Sequence, residues 1–260
     1  MPLTSAGRLT SEARLLARQA VAEFLGSAGL VAVVIGSGIA AQRLSADTGL
    51  QLLENALVTG AGLMALILAL GPVSGGHFNP VVTLADRVLG GVTNAQTAVY
   101  LVAQLVGGVV GAVTANLMFG LPAVTISHRV RSGGGLWLSE ALATFGLILL
   151  IFALVRADRT DLAPFGVGAY ITAAYWWSSS TSFANPMIDI ARTLSNTFAG
   201  IAPSSVPMFV VAQLVGTAAA VGAVLLLYPD VGAVAEDAVV RHRTSARPRA
   251  EHAAGAEEHR

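Results

Sequence analysis

Two short apolar segments each begin after an Asn-Pro pair and are too short to cross a lipid bilayer. They are Val81–Leu89, after Asn79-Pro80, and Met187–Ser195, after Asn185-Pro186. An asparagine that caps free backbone N–H groups, followed by proline at the first helical position, predicts the start of a helix. At about 1.5 Å per residue, neither helix reaches across a hydrocarbon core of about 30 Å. Each segment is therefore predicted to form a half-helix.

Long apolar stretches surround these two segments. Hydrophobic residues make up 54% of the 260-residue chain and charged residues only 12%, which leaves too little polar surface for a water-soluble globule. Six stretches approach or exceed the roughly 20 apolar residues of a spanning helix. They are Val21–Ala41, Ala56–Val73, Ala95–Leu121, Leu136–Val155, Leu162–Ser180 and Val206–Tyr228. The predicted fold class is an all-α membrane protein with six transmembrane helices and two re-entrant half-helices.

The chain also contains an internal repeat, over about residues 21–121 and 136–228. Its matching pieces are Ala22-Glu23-Phe24-Leu25-Gly26 with Ser139-Glu140-Ala141-Leu142-Ala143, Ala103-Gln104-Leu105-Val106-Gly107 with Ala212-Gln213-Leu214-Val215-Gly216, and the two Asn-Pro segments. A repeat of three spans is odd, so the second copy enters the membrane from the opposite side. The two half-helices are then expected to meet near the membrane midplane.

From Ala22 to Tyr228 the chain resembles the major intrinsic proteins, the family of aquaporins and aquaglyceroporins. The resemblance rests on Ser74-Gly75-Gly76-His77-Phe78-Asn79-Pro80-Val81-Val82-Thr83, on the repeated Glu and Gln residues, and on the second Asn-Pro pair. It implies a passive channel for small uncharged solutes and water, embedded in a lipid bilayer. It also implies a homotetramer with one pore in each copy.

Arginine placement predicts the orientation, because basic residues stay on the cytoplasmic side of a membrane. With the N-terminus inside, eleven arginines are cytoplasmic and four, Arg43, Arg129, Arg131 and Arg192, lie outside. Both termini are then cytoplasmic, and the expected location is the cell (inner or plasma) membrane. We expect a cytoplasmic segment at residues 1–20, an aquaporin-like channel domain at 21–229 and a disordered cytoplasmic tail at 230–260.

The loops before the half-helices are predicted to line the pore, because non-helical backbone at membrane depth is tolerated beside a wet cavity. Their carbonyls would accept hydrogen bonds from solute hydroxyls, and the two asparagine amides would donate to solute oxygens. Partial positive charge at both half-helix N-termini should exclude cations and protons. The pore-loop residues are Gly75, Gly76, His77, Phe78, Phe183 and Ala184, and the midplane residues are Asn79, Pro80, Val81, Asn185, Pro186 and Met187. His77 is either a packed polar residue or, as in the family, a pore-side residue that contributes to gating.

Two acidic residues, Glu23 and Glu140, lie inside predicted spans. Membrane acids are by default candidates for proton carriage. Because these two occupy matching places in the repeat, we favour a different role, in which each accepts hydrogen bonds from the backbone of a pore loop. Gln104 and Gln213 are expected to brace the same loops.

The chain departs from the family at the selectivity filter, the narrowest part of the pore. Aquaporins usually carry an arginine three residues after the second asparagine, where this chain has Ile188. The other filter positions, carried over by spacing, fall on Thr59, Ala173 and Ser182. None of these four is aromatic, histidine or arginine, so we expect a wider and less cationic filter than that of a strict water channel. Such a filter favours glycerol-like polyols and neutral metalloid hydroxides such as arsenous acid.

Two further features affect the predicted width and charge of the pore. Arg192 lies seven residues after Asn185, on the same helical face and about 10 Å further out, and is a candidate for a displaced cationic constriction. The alternatives are that Arg192 caps the helix end or reaches the membrane interface, and Asp189 is a possible partner for it. Val81 and Met187 replace the usual alanine after each Asn-Pro pair, which would narrow the midplane.

Other functional classes find less support. The sequence has no cysteine, no nucleophile paired with a base, no metal-ligand cluster and no phosphate-binding loop, so we expect no enzyme, no metal and no cofactor. The formal net charge is zero, which gives no basic field for nucleic acid. The alternatives kept open are a strict water channel, a proton-coupled small-solute transporter that uses Glu23 or Glu140, and a non-conducting structural member plugged at Met187 and Val81.

Overall fold

Helices account for the regular structure of the chain. A computed structural model describes residues 5–228, with side chains from Ser11 onward, and this part has helices and no strand. The helices are α1 Ser5–Leu44, α2 Thr48–Ser74, α3 Pro80–Leu89, α4 Asn94–Met118, α5 Gly134–Arg156, α6 Ala163–Trp177, α7 Pro186–Arg192 and α8 Val206–Leu227. Short 3₁₀ turns at Thr160–Leu162 and Pro203–Ser205 lead into α6 and α8. The tail predicted at residues 230–260 lies outside the described residues.

Six of these helices correspond to the six predicted spans. By length and composition, α1, α2, α4, α5 and α8 with its preceding turn can cross a membrane. The sixth, α6, has 15 residues and is about 22 Å long, or about 28 Å with the preceding 3₁₀ turn. Large apolar side chains such as Leu57, Val106 and Leu226 are exposed on the outside of the bundle, as a lipid-facing surface requires.

The ends of several elements differ from the prediction. The first helix begins at Ser5, well before Val21, because a polar segment continues the helix beyond the apolar run. The half-helix α3 agrees closely, but α7 ends at Arg192 instead of Ser195. There the N–H groups of residues 193 and 194 donate to carbonyls three residues back, which tightens the chain into a turn.

The packing of the helices follows the internal repeat. In the first half α1 packs against α2 and α4, and in the second half α5 packs against α6 and α8. The two halves meet where α2 packs on α6. Both half-helices, α3 and α7, contact α4 and α8, so each contacts a long helix of the other repeat. The inverted three-helix repeat therefore brings the two Asn-Pro segments to the middle of the bundle.

Glycines allow the long helices to approach closely. A β-carbon at Gly107 of α4 would overlap the carbonyl oxygen of Phe24 in α1. At the corresponding place in the second half, a β-carbon at Gly216 of α8 would overlap the carbonyl oxygen of Ala141 in α5. Small residues at such crossings are typical of helix packing in membranes. These crossings set the position of each acid-bearing helix, α1 and α5, next to its partner.

Replacing Gly216 by alanine should therefore destabilise the protein, by about 1–3 kcal/mol, because the opposing atom belongs to the backbone and the helices must separate. Thermal unfolding of the purified protein in detergent measures this. Gly222→Ala is a matched control in the same helix, since nothing lies within 4 Å of a β-carbon there. Equal effects of the two substitutions would contradict the close crossing.

Candidate solute pathway

A cavity of about 60 Å³ lies between the two half-helices and the surrounding spans. One part of its wall is aliphatic and includes Leu63, Ile67, Leu147, Ile151, Val167 and Ile171. The other part carries hydrogen-bonding groups from Thr59, Asn79, Tyr175, Ser182, Asn185 and Arg192. The volume is suited to a short file of water molecules or to a slender solute.

The two asparagines cap their own half-helices and also bind each other's loops. The side-chain oxygens accept from the backbone N–H groups of Val81 and Met187, at 3.1 and 3.0 Å. The Asn79 amide donates to the carbonyl of Ala184 at 2.8 Å, and the Asn185 amide donates to the carbonyl of Phe78 at 2.9 Å. Because a side-chain amide has two N–H donors, each asparagine retains one N–H that can donate to a molecule in the cavity.

The residue before each asparagine has a backbone conformation that side chains rarely adopt. Phe78 has φ 45° and Ala184 has φ 47°, both in the left-handed region. Such residues cost free energy and persist only where the surroundings hold them in place. Their carbonyls are held by the crossed asparagine bonds, so these two acceptors are already engaged. In the described part of the chain, no protein group donates to the carbonyls of Gly76, Ser182 or Phe183.

The N–H groups of the same loops are held by a buried carboxylate. Glu23 accepts from the backbone N–H groups of His77, at 3.0 Å, and Phe78, at 2.8 Å. It also accepts from Ser74 Oγ at 2.6 Å and from Gln104 Nε2 at 2.8 Å. Glu23 is fully buried and does not line the cavity. The bonds from His77 and Phe78 hold the first pore loop, and those from Ser74 and Gln104 hold the carboxylate in place.

Glu140 makes the corresponding contacts in the second repeat. It accepts from the backbone N–H groups of Phe183 and Ala184, each at 2.8 Å, and from Gln213 Nε2 at 2.7 Å. It is also fully buried and outside the cavity wall. The structure therefore places both acids behind the loops, bonded to loop backbone, and bonds each glutamine to the acid of its own repeat.

The side chain of His77 packs within protein. Its Nδ1 lies 3.0 Å from Thr83 Oγ1, its Nε2 lies 3.5 Å from Asp86 Oδ2, and its ring meets Tyr100 edge-on. The His77 side chain is only 1% exposed. The packed-polar interpretation thus describes its side chain, although the residue contributes to the cavity wall.

The filter prediction was wrong at one position. Thr59, Ser182 and Ile188 line the cavity, but Ala173 is exposed on the outside of the bundle. Tyr175 takes its place in the wall, with its hydroxyl 3.2 Å from Thr59 Oγ1. Side chains two residues apart on a helix point about 200° apart. An error of two residues in the spacing therefore selects a side chain on the lipid face instead of the pore face.

A signal for Tyr175 was present in the sequence. Val167, Ile171 and Tyr175 are four residues apart and form one face of α6, and all three line the cavity. The prediction of Ala173 relied instead on the family's spacing to Asn185.

The expectation that Val81 and Met187 narrow the midplane was also wrong. Both are buried, but neither lines the cavity. Met187 packs against α4, where a β-carbon at Gly108 would lie 2.5 Å from its sulfur. The next residues, Val82 and Ile188, face the cavity instead, because each step along a helix turns the side chain by about 100°.

Arg192 lies in the cavity wall and is held there by protein groups. Its Nε donates to the carbonyl of Ala199, and its guanidinium carbon lies 3.5 Å from the centre of the Phe183 ring. The possible partner Asp189 instead accepts from Gln213 Nε2 at 3.3 Å. Among the described residues, no ion pair includes Arg192.

Two half-helices that meet inside an inverted helical repeat, with a cavity running past both asparagines, define a multi-pass membrane channel. The sequence profile described as Major intrinsic protein matches residues 10–182. The chain therefore belongs to the major intrinsic protein family, which comprises the aquaporins and aquaglyceroporins, and is a channel for water and small solutes.

Individual relatives agree with this assignment. Aquaglyceroporin AqpS of Rhizobium meliloti (strain 1021) is 49% identical over 205 residues, covering 79% of this chain and 88% of the relative. Aquaporin-5 of Ovis aries is 36% identical over 148 residues, 54% of this chain and 53% of that protein. The X-ray structure of the aquaglyceroporin from Plasmodium falciparum superposes with a TM-score of 0.66 at 20% identity, covering 83% of this chain and 98% of the other. That likeness shows the shared fold.

Glu140→Gln should destabilise the protein, by about 1–3 kcal/mol, because the amide offers one acceptor oxygen to three donors and leaves a buried N–H unpaired. Thermal unfolding and the water permeability of proteoliposomes measure the loss. Glu54→Gln on α2 is a control at a partly exposed carboxylate. Unchanged stability with a changed response to a proton gradient would instead indicate that Glu140 carries protons.

Proposed function

We propose that this protein is a passive channel for small polyols such as glycerol, for neutral metalloid hydroxides such as arsenous acid, and for water, and that it excludes ions and protons. The observation that carries this proposal is the cavity between the half-helices, whose wall combines hydrogen-bonding groups with aliphatic side chains. The relative from Rhizobium meliloti is named an aquaglyceroporin, which agrees with it.

The two kinds of group in the cavity wall match the hydroxyl and C–H groups of a polyol. Free N–H groups of Asn79 and Asn185 would donate to solute oxygens, and the unengaged carbonyls of Gly76, Ser182 and Phe183 would accept from solute hydroxyls. The aliphatic side chains of the wall would contact the C–H groups. A solute that replaces its water hydrogen bonds in this way avoids most of the cost of desolvation.

The charges of the cavity argue against cations. Among the described residues, Arg192 is the one side chain with a fixed charge in the cavity wall, and neither Glu23 nor Glu140 reaches the cavity. Among the described residues of this wall, a cation would meet a guanidinium and no carboxylate, so no opposite charge would offset the cost of removing its water. The same observation gives little support to a proton-coupled transporter, since the candidate carriers are bonded to loop backbone.

A strict water channel is the second candidate, and Tyr175 is the observation that favours it. With Arg192 it supplies an aromatic ring and a cation near Thr59 and Ser182. With Tyr175 in the wall, the constriction is narrower than the filter of Thr59, Ala173, Ser182 and Ile188 that the sequence predicted. The plugged, non-conducting member has lost its main support, because Val81 and Met187 do not line the cavity.

The setting of the channel is also proposed. The four arginines predicted outside gather at one end of the bundle, where Arg43 binds Phe119, Arg129 binds Phe198 and Arg131 binds Gly200. This supports the orientation with both termini in the cytoplasm of a cell membrane. A channel domain at 21–229 and assembly as a homotetramer within the lipid bilayer follow from membership of the family.

Stopped-flow light scattering of proteoliposomes tests the proposed solutes. We expect the wild-type protein to raise both water and glycerol permeability above that of bare lipid vesicles, with no dependence on a proton gradient. Tyr175→Ala should raise glycerol permeability more than water permeability, because it removes a ring from the wall. Ala173→Val, two residues away on the lipid face of α6, is the matched control and should change neither.

The outcomes separate the candidates. Water flow without glycerol flow in the wild type would favour the strict water channel, and glycerol flow that appears only in Tyr175→Ala would identify Tyr175 as the barrier. Permeability at the level of bare lipid for every solute would favour a non-conducting protein. Uptake that follows a proton gradient would favour the transporter.

A further inference from the structure

The connection between α4 and α5 lies along the segment that follows α7, at the predicted outer end. Backbone N–H groups of Thr125 and Ser127 donate to the carbonyls of Leu194 and Thr193, at 3.0 and 2.8 Å. Further along, the N–H of Arg131 donates to Ser205 Oγ at 2.9 Å. These bonds fix the connection against the segment that follows α7.

This arrangement brings a second guanidinium to the ring of Phe183. The guanidinium carbon of Arg131 lies 5.0 Å from the ring centre, and that of Arg192 lies 3.5 Å from it. The two arginines are anchored alike, since each donates its Nε to one of two consecutive carbonyls, Ala199 for Arg192 and Gly200 for Arg131. A β-carbon at Gly200 would overlap Ser127 Oγ, so this anchoring backbone is closely packed.

The outer N–H groups of both arginines remain available. In the described part of the chain, neither the Nη groups of Arg131 nor those of Arg192 donate to a protein acceptor, and no carboxylate lies within ion-pair distance of either. Burial, followed by the neighbouring charges of Arg192 and Arg129, lowers the pKa of the Arg131 side chain to about 9. The group is therefore charged at neutral pH.

We infer that Arg131 and Arg192 form a binding site for a small oxyanion, of the carboxylate type, at the outer mouth of the channel. Guanidinium groups offer paired N–H donors that match the oxygens of a carboxylate, and two of them here share one aromatic ring and have unused donors. Since Arg192 also lines the cavity, an anion held there obstructs the pathway. Binding does not depend on the proposed function, whereas obstruction rests on the cavity being the route of flow.

Acetate is the probe for both parts. In the first measurement, the purified protein is heated in detergent with increasing sodium acetate, against sodium chloride at the same ionic strength. We expect acetate to raise the melting temperature more than chloride does, as a ligand of the folded state should. Arg131→Gln should weaken apparent acetate affinity at least about tenfold, the loss expected for charge-assisted hydrogen bonds. Arg129→Gln is the matched control, because Arg129 donates to the carbonyl of Phe198 and stacks on the Phe198 ring.

The second measurement is water flow into proteoliposomes with acetate on both sides of the membrane. Acetate should slow the flow in the wild type and in Arg129→Gln, and the half-inhibitory concentration should rise at least about tenfold in Arg131→Gln. If Arg131→Gln does not fold, Arg131→Lys replaces it. It keeps the charge but loses the paired N–H groups, and several-fold weaker binding is expected.

Equal effects of acetate and chloride, or equal acetate affinities in Arg131→Gln and Arg129→Gln, would overturn the inference. Acetate binding that depends on Arg131 without any effect on water flow would retain the site and show that it lies off the pathway. Failure of the proposed function gives a different result, namely wild-type vesicles no more permeable to water than bare lipid.

Discussion

The bonds from Glu23 and Glu140 to the pore loops are the interaction on which the rest of the structure depends. Phe78 and Ala184 stand in a left-handed conformation, and each is held at its N–H by the glutamate of its own repeat. Each is held at its carbonyl by the asparagine of the other repeat. Without these bonds the loops would relax and the half-helices would no longer meet. The glycine crossings matter for the same reason, because they bring the glutamate-bearing helices close enough to reach the loops.

The two repeats share this backbone frame but differ in the side chains placed on it. Counting from each asparagine, Thr83 of the first half-helix corresponds to Asp189 of the second, and both bind the glutamine that braces the glutamate. His77 corresponds to Phe183, and Asp86 corresponds to Arg192. The pair His77–Asp86 at one end is thus replaced by Phe183–Arg192 at the other. A symmetric fold therefore carries a buried acid, outside the cavity wall, beside one half-helix and a cation in the cavity wall beside the other.

Much of this frame could be predicted from the sequence, because it depends on local signals and on internal repetition. The Asn-Pro caps, the apolar runs and the repeated Glu and Gln residues each indicate a structure by position alone. The directions of single side chains were less accessible. Whether the side chains of Met187 and Tyr175 face the cavity changes when the alignment shifts by one or two residues along the helix. A distance counted along the chain does not determine that alignment. The crossed amide bonds were missed because they join residues of different repeats.

The position of the cation shows how this chain differs from its family. An arginine at the place of Ile188 would stand in the first turn of α7, close to Asn185. Arg192 stands at the last turn instead, and its orientation is set by Phe183 and by the carbonyl of Ala199. The segment that carries Ala199 is in turn hydrogen-bonded to the connection that carries Arg131. The charge at the outer mouth therefore depends on two loops, so loop substitutions far from the Asn-Pro motifs can alter it while the midplane stays unchanged.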